Sequence, residues 1–155
     1  CSRLTAVSDG GSTCHIMSLF TVHELAQQGV IIEVQPIAAG IMSIIFGKAE
    51  ASEPVIGQIL TGGILDKVLV VQDIATPLIS ETALTKKGVI FIKNNELLLG
   101  IKDGEVMIKG FRNPDAKEGS VAQLWNIDLI EILNQPGITT SDGMETHNSL
   151  YMTLR

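Results

Sequence analysis

The feature that most constrains the fold is a series of short apolar segments, rich in Val, Ile and Leu, separated by turn-forming residues. Segments of this kind fit the pleated, half-buried surface of a β-sheet. The predicted strands span residues 3–7, 14–17, 30–34, 41–46, 55–60, 64–71, 89–93, 96–102, 105–110 and 123–133. Because strands and helices do not alternate regularly, the pattern predicts an all-β fold, arranged as a small β-barrel.

The connections between these segments carry signals of their own. Asn94-Asn95 and Asp103-Gly104 predict tight hairpins, because both pairs tolerate the positive φ that such turns require. Residues 48–54 are polar and end in Pro, which predicts a loop. Residues 127–132 mix acidic and apolar side chains in an order that fits a strand with one wet face and a helical turn equally well.

A single short helix is expected, at residues 78–87. Its apolar side consists of Leu78, Ile79, Ala83 and Leu84. Ser80 or Thr76 is a candidate for its N-cap, and Gly88 stands where a left-handed C-terminal residue usually lies.

The composition excludes several classes of protein. The 155-residue chain is 45% hydrophobic and 18% charged, which is typical of a globular domain. Its formal net charge is -6 and it has no Lys/Arg cluster to neutralise a run of phosphates, so no nucleic-acid partner is expected. The longest apolar runs are too short to span a bilayer, and no signal peptide is recognisable, so no membrane partner is expected either.

Cysteine and histidine do not form a recognisable metal or redox motif. Cys1 and Cys14 allow only one bridge, which favours a reduced, intracellular setting. Cys14-His15 and His23-Glu24 lack the regular spacing of zinc ligands, and Gln27 stands where a His-Glu-x-x-His motif needs its second histidine. Neither a metal nor a cofactor is therefore expected.

Asp9 stands on a glycine-rich turn, Asp9-Gly10-Gly11-Ser12-Thr13, between two apolar strands. Such a turn keeps the backbone compact while it presents the carboxylate outward. Two carboxylates brought close together share one proton, because like charges at that range cannot both ionise; one then activates water while the other protonates the scissile carbonyl. Asp-Gly is also a very common turn dipeptide, and the short motif alone favours a plain turn.

The order of the segments around this turn resembles the protease of copia-type retrotransposons and the wider retropepsin family. Residues 9–17, Asp-Gly-Gly-Ser-Thr-Cys-His-Ile-Met, resemble that family's Asp-Ser-Gly-Ala/Ser-Thr-x-His-Ile/Met segment. Residues 68–80 resemble its Val-Leu-Tyr-Val-Pro-Asp-Leu…Leu-Leu-Ser segment, and residues 84–88 the end of the following helix. Residues 124–129 resemble its closing Leu-Tyr-x-Leu-Asp-Leu strand, so the resemblance covers residues 4 to about 130.

The resemblance implies a homodimeric aspartic endopeptidase that cleaves a retroelement polyprotein. Residues 1–133 are then the protease domain, and residues 134–155 are a C-terminal extension or the start of the next polyprotein segment. Asp9 of each chain supplies one of two catalytic carboxylates, because the chain contains a single Asp-Gly-Gly-Ser element. The implied location is intracellular, in the cytoplasm or within virus-like particles.

The resemblance also implies a mode of substrate binding. Gly11, Ser12 and Thr13 would shape the loop beside Asp9, and residues 35–41 would form a flap over the site. The substrate-binding residues expected in the flap are Gln35, Ile37, Ala38 and Gly40. A polypeptide bound as an extended strand between flap and floor gains affinity from backbone pairing.

The chain departs from the family at Gly10. The family usually has Ser or Thr at this position, and its hydroxyl braces the two loops across the dimer, whereas Gly10 has no hydroxyl. Either the brace is lost, or Ser12 and Thr13 compensate, or the domain is not a working enzyme. The alternative hypothesis is therefore a catalytically inactive β-barrel of the same ancestry that serves as a binding or assembly module.

Overall fold

A computed structural model describes residues 4–30, 32–46 and 51–135 of the chain. The strands are β1 (Thr5–Asp9), β2 (His15–Ser18), β3 (Gln35–Pro36), β4 (Ser43–Phe46), β5 (Ala51–Leu60), β6 (Lys67–Val71), β7 (Leu78–Ser80), β8 (Ile90–Lys93), β9 (Leu97–Lys102), β10 (Glu105–Phe111) and β11 (Asn126–Asp128). The helices of the described residues are α1 (Leu19–Gln27), α2 (Glu81–Thr85) and α3 (Leu129–Leu133), and a 3₁₀ turn lies at Val121–Gln123. The described part of the chain is therefore mostly β-sheet, as predicted.

The strands form one sheet in the order β3-β5-β6-β2-β7-β1-β11-β10-β9-β8, and β4 pairs with β5 beside this path. The pairings β1–β7 and β2–β6 are parallel, whereas the others are antiparallel. The expected barrel is wrong, because the path of described strands has two ends that do not pair. Most side chains of the last strand, β8, face solvent, so β8 is an edge rather than the closing strand of a ring.

Two groups of buried side chains form the core. The larger group joins the sheet to all three helices, through Leu25 of α1, Leu84 of α2 and Leu129 of α3, which are each fully buried. The smaller group consists of Ile16, Val55, Leu69 and Val71, and Ile37, Ile44 and Leu78 pack against it. The parallel pairs β1–β7 and β2–β6 lie in the middle of the sheet, and β2, β6 and β7 contribute side chains to both groups.

The prediction of a single helix at residues 78–87 is wrong. Residues 78–80 form β7, because they pair with β1 and β2, and only Glu81–Thr85 is helical. Ser80 is the N-cap of α2 and accepts a hydrogen bond from the Ala83 N–H (3.0 Å), so one of the two predicted caps is confirmed. Gly88 adopts the predicted positive φ, 93°.

Helix α1 has no counterpart among the predicted elements. Its N-cap is Ser18, whose hydroxyl accepts a hydrogen bond from the Thr21 N–H at 3.1 Å. Val22 and Leu25 are buried at helical spacing against the sheet. The pattern was therefore present in the sequence, but it is short and follows directly on a strand.

Two predicted strands and one predicted loop also differ from the structure. At residues 30–34 the described residues are not in a strand, and pairing begins only at β3. The loop expected at 48–54 is replaced from residue 51 onward by β5, which pairs with β4. The strand expected at 123–133 is the 3₁₀ turn, β11 and α3 in succession; Asp128 ends β11 and caps α3, accepting from the Glu131 N–H (3.0 Å).

Candidate active site at the Asp9 turn

Asp9 is the last residue of β1, which lies between β7 and β11 in the sheet. The backbone N–H of Ser8 donates to the Trp125 carbonyl (2.8 Å), and that of Val7 donates to the Pro77 carbonyl (2.8 Å). Beyond the strand, the Gly11 N–H donates to Asp9 Oδ1 at 2.8 Å. The carboxylate therefore stands at the end of a strand held on both sides, on a turn that its own side chain closes.

Ser80 of β7 contacts the end of this turn that follows the two glycines. Ser80 pairs with Asp9 in the parallel β1–β7 ladder, and its hydroxyl donates to the Ser12 carbonyl at 2.6 Å. The Ser12 hydroxyl in turn donates to the Cys14 carbonyl at 2.7 Å. Two hydroxyl groups, those of Ser80 and Ser12, thus hold the end of the turn by hydrogen bonds within one chain.

A buried histidine takes part in the same contacts. His15 is only 3% exposed, and its Nδ1 accepts a hydrogen bond from the Ser80 N–H at 2.9 Å. Burial, and to a smaller extent the charge of Lys87, lower the pKa of His15 to about 4, while Asp66 acts in the opposite direction. The ring is therefore a neutral acceptor at neutral pH, which is the state that the Ser80 hydrogen bond requires.

The carboxylate of Glu81 lies beneath the turn. The Ser8 hydroxyl donates to Glu81 Oε2 at 2.7 Å, and Lys93 Nζ lies 3.0 Å from Glu81 Oε1. The Glu81 side chain is 13% exposed and that of Lys93 38%. Neither Glu81 nor Lys93 is among the catalytic or substrate-binding residues expected from the sequence.

A cleft of about 150 Å³ opens beside Asp9. Its lining consists of Asp9, Gly11, Ser12, Thr13, Cys14, Ile16, Ile44, Ile45 and Leu78. The structure thus brings the three predicted turn residues, Gly11 to Thr13, to the same cleft as Asp9. One wall is the polar turn, and the others are apolar side chains from β2, β4 and β7.

The expected flap residues lie elsewhere. Gln35 pairs with Gln58 in β5, and the Ile37 N–H donates to the Ile56 carbonyl (3.0 Å), so residues 35–37 form the edge of the sheet. The Ala38 carbonyl accepts from the Ile41 N–H in a turn at which Gly40 has a φ of 84°. None of Gln35, Ile37, Ala38 and Gly40 is among the described residues that line the Asp9 cleft.

The hairpin β4–β5 lines the cleft instead. Ser43 to Phe46 pair with Ala51 to Pro54, and Ile44 and Ile45 face the cleft that contains Asp9. Ile45 is 71% exposed, although it is a large apolar residue. The sequence predicted a strand at residues 41–46, but it predicted a loop at 48–54, where the partner strand β5 begins.

The remaining candidate ligands do not come together. Among residues 4–30, 32–46 and 51–135, no three His, Cys, Asp or Glu side chains are placed to hold a metal ion. Burial raises the pKa of the Cys14 thiol, against weaker opposing effects of the Thr13 hydroxyl and of Lys67, so the thiol is a poor nucleophile. Cys1 lies outside the described residues. No helix in the described part of the chain has the length and apolar character needed to cross a membrane.

Comparison of the chain with protein-family models, with curated proteins and with solved structures finds no match. The function must therefore be inferred from the residues of the Asp9 turn and its cleft. Three features bear on the function: a carboxylate on a closed turn, a cleft that places apolar side chains opposite this polar turn, and a hairpin that contributes a wall of the cleft.

Proposed function

We propose that the protein is an aspartic endopeptidase of the retropepsin type, in which two copies of the chain each contribute Asp9 to one active site. The observation that carries the proposal is the Asp9 carboxylate at the end of a central strand, held by the Gly11 N–H and lining a cleft whose other walls are apolar. The resemblance of residues 4 to about 130 to the copia-type protease supports it independently of the geometry.

The chemistry requires a second carboxylate, and the chain has one Asp-Gly-Gly-Ser element. A two-fold axis beside the turn supplies the second Asp9. Gly10 and Gly11 are exposed and have no side chains, so the equivalent turn of a partner can approach closely. The paired carboxylates share one proton. The ionised one accepts a proton from water as the water oxygen bonds to the scissile carbonyl carbon, while the other donates its proton to the carbonyl oxygen. The tetrahedral intermediate then breaks its C–N bond: one hydroxyl proton returns to a carboxylate, and the other carboxyl gives its proton to the leaving amine.

The substrate is a polypeptide bound as an extended strand between the Asp9 turn and the β4–β5 hairpin. Ile44 and Ile45 of the hairpin and Leu78 of β7 offer apolar contacts to its side chains. Strand β4 pairs only with β5 in the described part of the chain, so its other edge is available to a peptide backbone. As a retroelement enzyme, it would process its own polyprotein inside the cell, in the cytoplasm or within virus-like particles.

Replacement of Asp9 tests the proposal. The purified chain is incubated with a pool of unstructured peptides between pH 4 and pH 7, and cleavage is followed by mass spectrometry. We expect Asp9→Asn to reduce cleavage at least about a thousandfold, because the neutral amide cannot act as the base. Asp103→Asn is the matched control, since Asp103 also precedes a glycine but lies in the β9–β10 hairpin turn. Cleavage by Asp9→Asn at the wild-type rate would refute the assignment.

A binding or assembly module without catalysis is the second candidate, and Gly10 is the observation that favours it. The residue after Asp9 has no hydroxyl with which to brace a partner turn. A module of this kind would bind extended peptides in the β4–β5 cleft with equal affinity in the wild type and in Asp9→Asn, and neither would cleave them. Peptide affinity and cleavage measured on the same two proteins separate the candidates.

A further inference from the structure

The two residues next to Asp9, Ser8 and Gly10, lie beside the carboxylate of Glu81. Glu81 neither lines the cleft nor belongs to the Asp-Gly-Gly-Ser-Thr segment. Glu81 Oε2 accepts from the Ser8 hydroxyl at 2.7 Å, and Glu81 Oε1 lies 3.0 Å from Lys93 Nζ. Ser8 directly precedes Asp9 and is itself buried. One carboxylate therefore connects the residue before Asp9 to the edge strand β8, on which Lys93 lies.

The same carboxylate lies next to the residue after Asp9. A Cβ built on Gly10 would have Glu81 Oε1 as its nearest neighbour, at 3.9 Å. Glu81 thus faces the turn on both sides of the reacting residue, at Ser8 and at Gly10. A hydrogen bond from a hydroxyl to an ionised carboxylate is stronger than one between neutral groups, particularly at low exposure.

We propose that Glu81 is a positioning residue, which fixes the Asp9 turn from within its own chain through Ser8 and Lys93. The inference rests on the proposed endopeptidase function for its kinetic consequence. With this support the position of Asp9 does not depend on a hydroxyl that reaches across a dimer, and the absence of a hydroxyl at Gly10 is compatible with catalysis.

Three variants test the chain of contacts: Glu81→Ala, Ser8→Ala and Lys93→Met. If Glu81 positions Asp9, Glu81→Ala lowers kcat by about tenfold to a hundredfold, because small misplacements of a reacting group are costly, whereas KM and the dimer dissociation constant stay unchanged. Ser8→Ala in the Glu81→Ala background has little further effect, because both changes break one contact. Lys93→Met lowers kcat less than Glu81→Ala does, since the Lys93 side chain is 38% exposed and an exposed ion pair contributes little. Glu81→Asp restores part of kcat.

A measurement that does not depend on activity accompanies the kinetics. We expect the NMR order parameters of the Gly10 and Gly11 N–H groups to fall from the rigid range, about 0.85, toward 0.6 or below in Glu81→Ala. Glu105→Gln is the control, because Glu105 is an exposed residue of β10 with the same functional group. Its order parameters and kcat should match those of the wild type.

Either of two outcomes overturns the proposal. One is a rigid Gly10–Gly11 segment with an unchanged kcat in Glu81→Ala. The other is a loss of global stability in Glu81→Ala with an unchanged kcat per folded dimer, which would make Glu81 a merely structural residue. Failure of the endopeptidase function itself would show differently, either as Asp9→Asn cleaving like the wild type or as no cleavage by the wild type. In both cases the order parameters would still decide whether Glu81 holds the turn.

Discussion

Acidification perturbs the buried His15, and its effect on stability can be worked out from the structure. The His15 ring is 3% exposed, and Nδ1 can accept from the Ser80 N–H only while that nitrogen carries no proton. Protonation therefore breaks this hydrogen bond between β2 and Ser80, the residue whose hydroxyl contacts the Asp9 turn. The resulting loss of unfolding free energy is set by the pKa of His15. Burial lowers this pKa from 6.5 to about 4, with a smaller contribution from the charge of Lys87.

The sign and size of the effect follow from linkage. The unfolded chain binds the His15 proton more tightly than the folded chain, so the contribution to stability is complete above about pH 6.5 and is lost as the pH falls to about 4. A difference between pKa values of 6.5 and about 4 corresponds to about 3 kcal/mol of unfolding free energy. For a domain of this size that is a large share of a typical total stability.

Urea unfolding at pH 7, 5.5 and 4, at one protein concentration, measures this contribution. We expect His15→Gln to be less stable than the wild type at pH 7 but to lose about 3 kcal/mol less on going to pH 4, because its amide does not titrate. His23→Gln removes an exposed histidine of α1 and controls for the loss of one imidazole. Parallel pH profiles for the wild type and His15→Gln would refute the reasoning.

Two further predictions concern glycines. Gly57→Ala should lower the unfolding free energy measured in urea by about 1–3 kcal/mol, because its Cβ would lie 2.5 Å from Val34 Cγ1 and 3.0 Å from the Gln35 carbonyl oxygen. Val34→Ala in the same chain should recover part of this loss. A Gly57→Ala variant as stable as the wild type would contradict the packing. Gly10→Ser should fold normally, since the nearest atom to its Cβ is 3.9 Å away, and its hydroxyl should tighten the proposed dimer about tenfold in sedimentation equilibrium. An unchanged dimer affinity would argue against a turn-to-turn interface.

Strands joined by tight turns are the part of the fold that the sequence predicted best. Asp103 and Gly104 have positive φ values of 53° and 81°, as the hairpin signal required. The other predicted hairpin also forms, but neither Asn94 nor Asn95 has a positive φ. Asn94 Oδ1 closes the turn instead, by accepting from the Glu96 and Leu97 N–H groups. These turns depend on residues next to one another in the chain, so local chemistry is sufficient to identify them.

The hairpin beside Asp9 was missed for an equally physical reason. Its strands β4 and β5 meet at the edge of the sheet, and Ile45 remains exposed, so the alternation of apolar and polar side chains that identifies a half-buried strand is weak. Pro54 favoured a loop, but it lies where β5 pairs with β4 alone, before the ladder with β6 begins at Val55. A proline is tolerated where a strand has a free edge.

The contacts of Ser80 and Glu81 with the Asp9 turn could not be identified from residues next to the turn, because both partners lie about 70 residues away in sequence. The parallel β1–β7 ladder sets Ser80 beside Asp9, and the start of α2 then brings Glu81 under Ser8, 73 residues away in sequence. This arrangement also bears on Gly10. The turn has hydroxyl and carboxylate partners within one chain. The lack of a hydroxyl at Gly10 should therefore lower the affinity of the proposed dimer more than it disturbs the position of the Asp9 carboxylate. We accordingly expect the proposed catalysis at low protein concentration to depend on the affinity of the proposed dimer.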